Sequence, residues 1–152
     1  MLIGLHHTAI STPDLARAIA FYCDTLGGEQ ASDILSWGPG EDIPNRMLQL
    51  PDSSGTFVHL KLGRVYLEIF QFTKPEPQRP QRSTCDHGLA HLCFVVDDLD
   101  AEYKRLSVVG MIFHAEPACY DDGSKFVYGR DPDGNVIELL EIPPGASTPP
   151  LD

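Results

Sequence analysis

This chain of 152 residues repeats itself, and that repetition constrains its fold more than any other feature of the sequence. His7 stands seven residues before Asp14-Leu15, and His91 stands the same seven residues before Asp98-Leu99. A glycine closes the helical segment that follows in each half, at Gly27 and at Gly110. Near the end of each half a second glycine, Gly63 or Gly134, leads into an apolar run with one acid inside it: Tyr66-Leu67-Glu68-Ile69-Phe70 and Val136-Ile137-Glu138-Leu139-Leu140. Each half therefore offers a histidine on its first strand and a glutamate on its last.

The local patterns fill in this outline. Leu15, Ala18, Ile19, Tyr22 and Leu26 fall on one helical stripe and predict a helix over residues 13–26. Thr12 is its expected cap, Pro13 suits the first helical position, Asp14 complements the dipole, and Gly27-Gly28 stops it. Strands are expected at residues 5–11, 46–50, 56–62 and 65–72, with residues 31–45 as an irregular excursion or lid. The proline-rich stretch Lys74-Pro75-Glu76-Pro77-Gln78-Arg79-Pro80-Gln81-Arg82 reads as an extended linker. Beyond it the pattern restarts: a strand at 91–96, a helix carrying Leu99, Tyr103, Leu106 and Val109 with Asp97 as its cap, then strands at 111–115, 125–128 and 135–142. The expected class is α+β, with a first βαβββ module at 1–72, a linker at 73–87, a second βαβββ module at 88–142 and a disordered tail at 143–152.

Composition excludes several functions. Eleven Lys and Arg against 22 Asp and Glu leave a net charge of −11, so the basic surface that neutralises nucleic-acid phosphates or docks on anionic lipid is missing. No apolar run approaches the roughly 20 residues that span a bilayer, and Met1-Leu2-Ile3-Gly4-Leu5 has no basic leader, so a cytoplasmic protein is expected. Cys23, Cys85, Cys93 and Cys119 contain no CxxC pair and are expected as reduced thiols, with Cys23 and Cys93 acting as small hydrophobes.

A carboxylate placed mid-strand among Leu, Ile and Phe costs several kcal/mol to bury unless it is paired or holds a metal. Two of them, Glu68 and Glu138, at matching positions of a duplicated unit and each accompanied by His7 or His91, point to a shared metal site. Two neutral imidazoles and two carboxylates carry a charge that a divalent ion cancels, and Zn, Ni, Co, Mn and Fe all accept such a set. Strand alternation turns His6 away from His7 and Glu141 away from Glu138. His59, His87 and His114 have no counterpart in the other half, which assigns them to surface or pocket-wall roles. Phe57, Tyr66, Phe70 and Tyr128 lie on strands near these residues and are expected to wall a largely apolar pocket, with Arg46 and Arg130 as candidate anchors for a substrate carboxylate.

One family matches this order of motifs. His7-Thr8-Ala9-Ile10, Pro13-Asp14-Leu15, Phe21-Tyr22, Tyr66-Leu67-Glu68, His91, Val95-Val96-Asp97-Asp98-Leu99 and Arg130-Asp131-Pro132-Asp133-Gly134-Asn135-Val136-Ile137-Glu138-Leu139 together resemble the vicinal oxygen chelate superfamily, which includes glyoxalase I, methylmalonyl-CoA epimerase, extradiol dioxygenases and bleomycin-resistance proteins. The resemblance runs from residue 5 to residue 142 and implies a curved, incomplete barrel around one divalent metal held by His7, Glu68, His91 and Glu138. It implies a lyase or isomerase that enolises a carbonyl substrate, with Glu138 and Glu68 as the proton-transfer bases. Ser11 and Phe72 stand where glutathione-using members carry an Arg and an Asn, which argues against glutathione as co-substrate. The separate catalytic Glu of methylmalonyl-CoA epimerases is sought on the strand after the lid, where Arg46-Met47-Leu48-Gln49 offers none. An Fe(II) extradiol-type dioxygenase needs only His7, His91 and Glu138, so Glu68 discriminates; a metal-free antibiotic-binding protein is the third reading, which the four intact ligand positions disfavour. Open sheet edges imply a homodimer acting on a small-molecule substrate.

Overall fold

Alternation along Val58-His59-Leu60 and Leu67-Glu68-Ile69 gives a strand one greasy and one polar face, and the folded chain uses both. The computed structural model describes residues 1–78 and 83–151, so linker residues 79–82 lie outside the described residues. It divides into two units, Met1–Pro80 and Gln81–Asp152. The division falls inside the expected linker, although the last strand of the first unit runs on to Lys74.

The first unit consists of β1 (His7–Ser11), α1 (Leu15–Ala20), β2 (Glu29–Gln30), β3 (Leu35–Trp37), α2 (Asp42–Met47), β4 (Ser54–Leu62) and β5 (Val65–Lys74). Its sheet runs β1-β5-β4-β2, with β3 also on β4; β1 lies parallel to β5 and the other pairs are antiparallel. The second unit repeats the plan with β6 (Leu92–Val95), α3 (Leu99–Val108), β7 (Ile112–Phe113), β8 (Ala118–Cys119), β9 (Lys125–Arg130) and β10 (Val136–Glu141), in the order β6-β10-β9-β7 with β8 on β9. Two short strands on β4, and two on β9, together make the second strand of each module, so the α+β class and the tandem βαβββ plan both hold. Among the described residues no helix is long and apolar enough to cross a membrane.

Each helix covers one face of its own sheet. Leu15, Ala18 and Tyr22 are buried with Val58, Leu60, Leu67 and Ile69 in the first unit, and Leu99 and Leu106 with Val127, Ile137 and Leu139 in the second. Complete burial of an aliphatic side chain removes roughly 1.5–3 kcal/mol of hydration cost, so this face holds the fold together. The residues between them, His59, Glu68, Tyr128 and Glu138, occupy the opposite face.

Four local expectations need correction. The strand expected at 46–50 is absent: Arg46 and Met47 belong to α2, whose start at Glu41 and Asp42 places an acid at the positive end of its dipole, and the strand after the excursion is β4. Thr12 does not cap α1. Its hydroxyl bonds the amide of Asp14, and the Asp14 carboxylate caps Arg17 N at 3.0 Å, starting the helix two residues later than expected and continuing it through a π-helical turn over Phe21–Thr25. Asp98, rather than Asp97, caps α3 by accepting from Ala101 N at 3.0 Å. Residues after 142 are tied down in part, since Ser147 donates from N and Oγ to Asp122 Oδ2 at 2.9 and 2.6 Å.

The repeat extends to a detail that no hydrophobic pattern reveals. The first amide of each helix is met by a side chain three residues beyond the strand glutamate: Leu15 N donates to Gln71 Oε1 at 2.8 Å, and Leu99 N donates to Glu141 Oε2 at 2.7 Å. This contact fastens helix to sheet from the core side, and it explains why Glu141 turns away from Glu138. Glu141→Ala leaves the Leu99 amide without its acceptor and is expected to lower stability by about 1–3 kcal/mol in denaturant unfolding. Glu141→Gln, which copies the first unit, should retain most of it.

Candidate functional site

Strand register assembles the polar face of the first unit. Gly63, at φ 62°, turns the chain between β4 and β5, and pairing counted outward from this turn sets His59 opposite Glu68. On the other side of β5, the parallel strand β1 brings His7 to the same face. His7 Nε2 lies 3.4 Å from Glu68 Oε2, and His59 Nε2 lies 3.4 Å from Glu68 Oε1. The Glu68 side chain is only 14% exposed, yet among the described residues its cationic partners within 4.0 Å are these imidazoles and no Lys or Arg. His6 Nδ1 sits 2.9 Å from His7 Nδ1, an arrangement in which one nitrogen donates and the other accepts. With His7 as donor, its Nε2 keeps a lone pair aimed at the Glu68 side, the outer contact that metal-binding histidines need.

The second unit builds its own pair. His91, just ahead of β6, places Nε2 3.0 Å from Glu138 Oε2, and the Glu138 side chain is again 14% exposed. The residues around this carboxylate differ from those of the first unit. Tyr128 is its partner across the β9/β10 ladder and Cys93 its partner across β6/β10. Burial first, then the Glu138 charge and a hydrogen bond to it, push the Tyr128 phenol up to about 12. The Cys93 thiol is likewise pushed up to about 12 by desolvation and then by Glu138, although part of this residue reaches solvent. Both groups stay protonated near neutrality and donate to Glu138. Cys93 is thus a neighbour of the site rather than the core filler its apolar run predicts.

Aromatic side chains extend the polar face of the first unit. Phe57 and Phe70 stack at 5.5 Å, Phe70 and Phe72 at 5.5 Å, and Trp37 meets Phe70 edge-on at 5.9 Å. A Cβ on Gly55 would come within 2.6 Å of Trp37 Cη2, so only glycine admits this indole, whose Nε1 is held by Ser53 Oγ at 2.9 Å. Tyr66 stacks on His6 at 4.8 Å and Tyr128 meets His91 edge-on at 5.3 Å. Arg46 stands apart from these groups: on α2 it faces Asp42 at 3.4 Å and lines a cavity of about 430 Å³ with Gly40, Asn45 and Gln49. Arg130 is engaged by the turn after β9, donating to the Gly134 carbonyl at 2.7 Å.

Of the residues singled out in the sequence, the structure therefore joins His7 with Glu68, His91 with Glu138 and Tyr128, and Phe57 with Phe70. It adds His59, which a search for matched positions between the halves passes over because it has no counterpart, and it corrects His6: alternation predicts that this residue turns away from His7, but His6 precedes β1 and its ring nitrogen meets that of His7. The signal for His59 lay in the hairpin: it stands four residues before Gly63 as Glu68 stands four after Arg64. Cys93 offers a further test in the metal-free protein. Its alkylation by iodoacetamide at pH 8, followed peptide by peptide in mass spectrometry, should be slow and should accelerate in Glu138→Gln, because removing the negative charge lowers the thiol pKa.

The chain is similar to known proteins over almost its whole length. The family model described as Glyoxalase/Bleomycin resistance protein/Dioxygenase superfamily matches residues 4–139. The 2-epi-5-epi-valiolone epimerase of Actinomyces sp is 30% identical over 151 residues, covering 95% of this chain and 82% of that protein. The ethylmalonyl-CoA/methylmalonyl-CoA epimerase of Cereibacter sphaeroides is 28% identical over 151 residues, covering 93% of this chain and 100% of that protein. Among solved structures, a glyoxalase family protein from Bacillus cereus superposes with a TM-score of 0.82 at 21% identity, covering 93% of this chain and 95% of that one, a likeness of fold.

Proposed function

The chain belongs to the Glyoxalase/Bleomycin resistance protein/Dioxygenase superfamily, and from that premise we propose that it is a divalent-metal-dependent isomerase or lyase that removes the proton beside the carbonyl group of a small substrate. The observation that carries the reading is the matched pair of enclosed carboxylates, Glu68 and Glu138, each facing an imidazole nitrogen at 3.4 or 3.0 Å with no Lys or Arg beside it among the described residues. This donor set fits a first-row divalent ion. Ligand atoms about 2.1 Å from one ion stand about 3.0–3.4 Å apart at octahedral or tetrahedral angles, which is the spacing within each pair. The proposed ligands are His7, Glu68, His91 and Glu138; an ion there supplies positive charge to offset the negative charge that gathers on the substrate oxygen as the C–H bond breaks.

The remaining chemistry belongs to the side chains. A Glu138 or Glu68 carboxylate oxygen takes the proton from the substrate carbon and gives it back to the same carbon or its neighbour. Tyr128 and Cys93, donating to Glu138, hold that carboxylate in one orientation. The aromatic row of Trp37, Phe57, Phe70 and Phe72 favours a substrate with an apolar or aromatic part. Phe72 is packed into this row and has no polar atom to offer glutathione. Unpaired outer edges at β1 and β6 among the described residues favour a homodimer.

One finding favours isomerisation: both relatives described above carry the name epimerase. The strand after the excursion is β4, and it offers no glutamate as a separate second base, which leaves Glu68 and Glu138 as the two carboxylates for the proton transfer. Against the extradiol-type alternative, Glu68 shares the face of His7 instead of turning into the core. Loaded with metal and kept anaerobic, the protein should exchange α-hydrogen for deuterium in an α-hydroxy or α-keto carbonyl compound in D2O, read by proton NMR. Glu138→Gln should slow that exchange by about 10²–10⁴-fold with an unchanged melting curve. Undiminished exchange in the variant would refute the assignment.

A further inference from the structure

The quartet assigned from the repeat leaves His59 without a role, yet its nitrogen is as close to Glu68 as that of His7. Ligand atoms of His7, His59 and Glu68 all lie within 4.8 Å of one another. Two atoms on opposite sides of one ion at bonds of about 2.1 Å stand about 4.2 Å apart, so a shift of a few tenths of an ångström brings all three onto a common ion. The rings of His7 and His59 lie side by side above the Glu68 carboxylate, with centroids 5.5 Å apart and planes at 81°. His59 is also pinned along its backbone: its N–H donates to Ser32 Oγ at 3.1 Å and its carbonyl accepts from Ala31 N at 2.8 Å. These bonds hold the stretch of β4 from which the imidazole projects toward Glu68.

We propose that His59 is a metal ligand, so that His7, His59 and Glu68 form a two-histidine, one-carboxylate seat for a divalent cation within the first unit alone. Among the described residues the second unit has no equivalent: at the ladder position where His59 faces Glu68, a phenol, Tyr128, faces Glu138. The two modules thus divide the work: the first carries the stronger cation seat, and the second presents Glu138 among hydrogen-bond donors. The inference rests on the reading that this chain binds a divalent metal through Glu68.

The test is a titration of the full chain, stripped of metal, with Co(II), followed by visible absorption and by equilibrium dialysis. Wild type and the double variant His91→Ala/Glu138→Gln should both bind one Co(II) per chain, the second more weakly. His59→Ala alone should weaken binding by about 10–100-fold and change the Co(II) spectrum through the loss of a nitrogen ligand. Added to the double variant, it should abolish binding. His59→Gln, which retains bulk and polarity, controls for misfolding and should give the same spectral change with a native melting curve. Unaltered affinity in both His59 variants would overturn the proposal. So would weakened binding with the wild-type spectrum, which would assign His59 to holding the Glu68 carboxylate and not to the ion. Failure of wild type itself to bind Co(II) would instead remove the metal reading on which the proposal rests.

Discussion

A carboxylate screened from water whose cationic partners, among the described residues, are imidazoles and no Lys or Arg is the constraint on which the rest of this structure depends. Glu68 and Glu138 are each 14% exposed, and such an anion needs a cation or several hydrogen-bond donors to remain charged. Arginine or lysine would satisfy it permanently and leave nothing for a ligand. Histidine satisfies it weakly and brings a lone pair that can turn to an ion. The remainder of each unit serves to present this pair: a helix seals one face of the sheet with Leu and Ile, and the register of the last two strands delivers the acid to the other face.

Duplication supplied two such faces, and divergence made them unequal. The helix caps Asp14 and Asp98 and the helix-to-sheet contacts through Gln71 and Glu141 are retained in both units, because they hold the scaffold. The neighbours of the acid are not retained. Glu68 is flanked by His7 and His59 beside a row of aromatic rings, whereas Glu138 is flanked by His91, Tyr128 and Cys93. The first set favours holding a cation and an apolar group; the second favours steering one carboxylate oxygen. The two carboxylates thus stand at matched positions in unlike surroundings.

Much of this was legible in the sequence because repetition and alternation are long-range signals that survive local noise. The two modules, α+β class and the pairing of His7 with Glu68 and of His91 with Glu138 follow from spacing alone. What was not legible is local or pairwise. Residues 46–50 form a short apolar run that passes for a strand, but Arg46 and Met47 end a helix that begins at Asp42, and Asp42 and Ile43-Pro44 suit its first turn. Thr12 and Asp97 are good caps in isolation, and the acids beside them win by reaching the amide three residues on. His59 was hidden because symmetry singles out what the halves share, and this residue marks where they differ.

The central claim is that the two strand glutamates exist to hold a metal. Elemental analysis of the purified protein, set beside the same analysis of Glu68→Ala, tests it most directly. The account predicts close to one first-row divalent ion per chain in the wild type, lost or much reduced in the variant. Iron retained in full without Glu68, or no metal in the wild type under any loading, would contradict it.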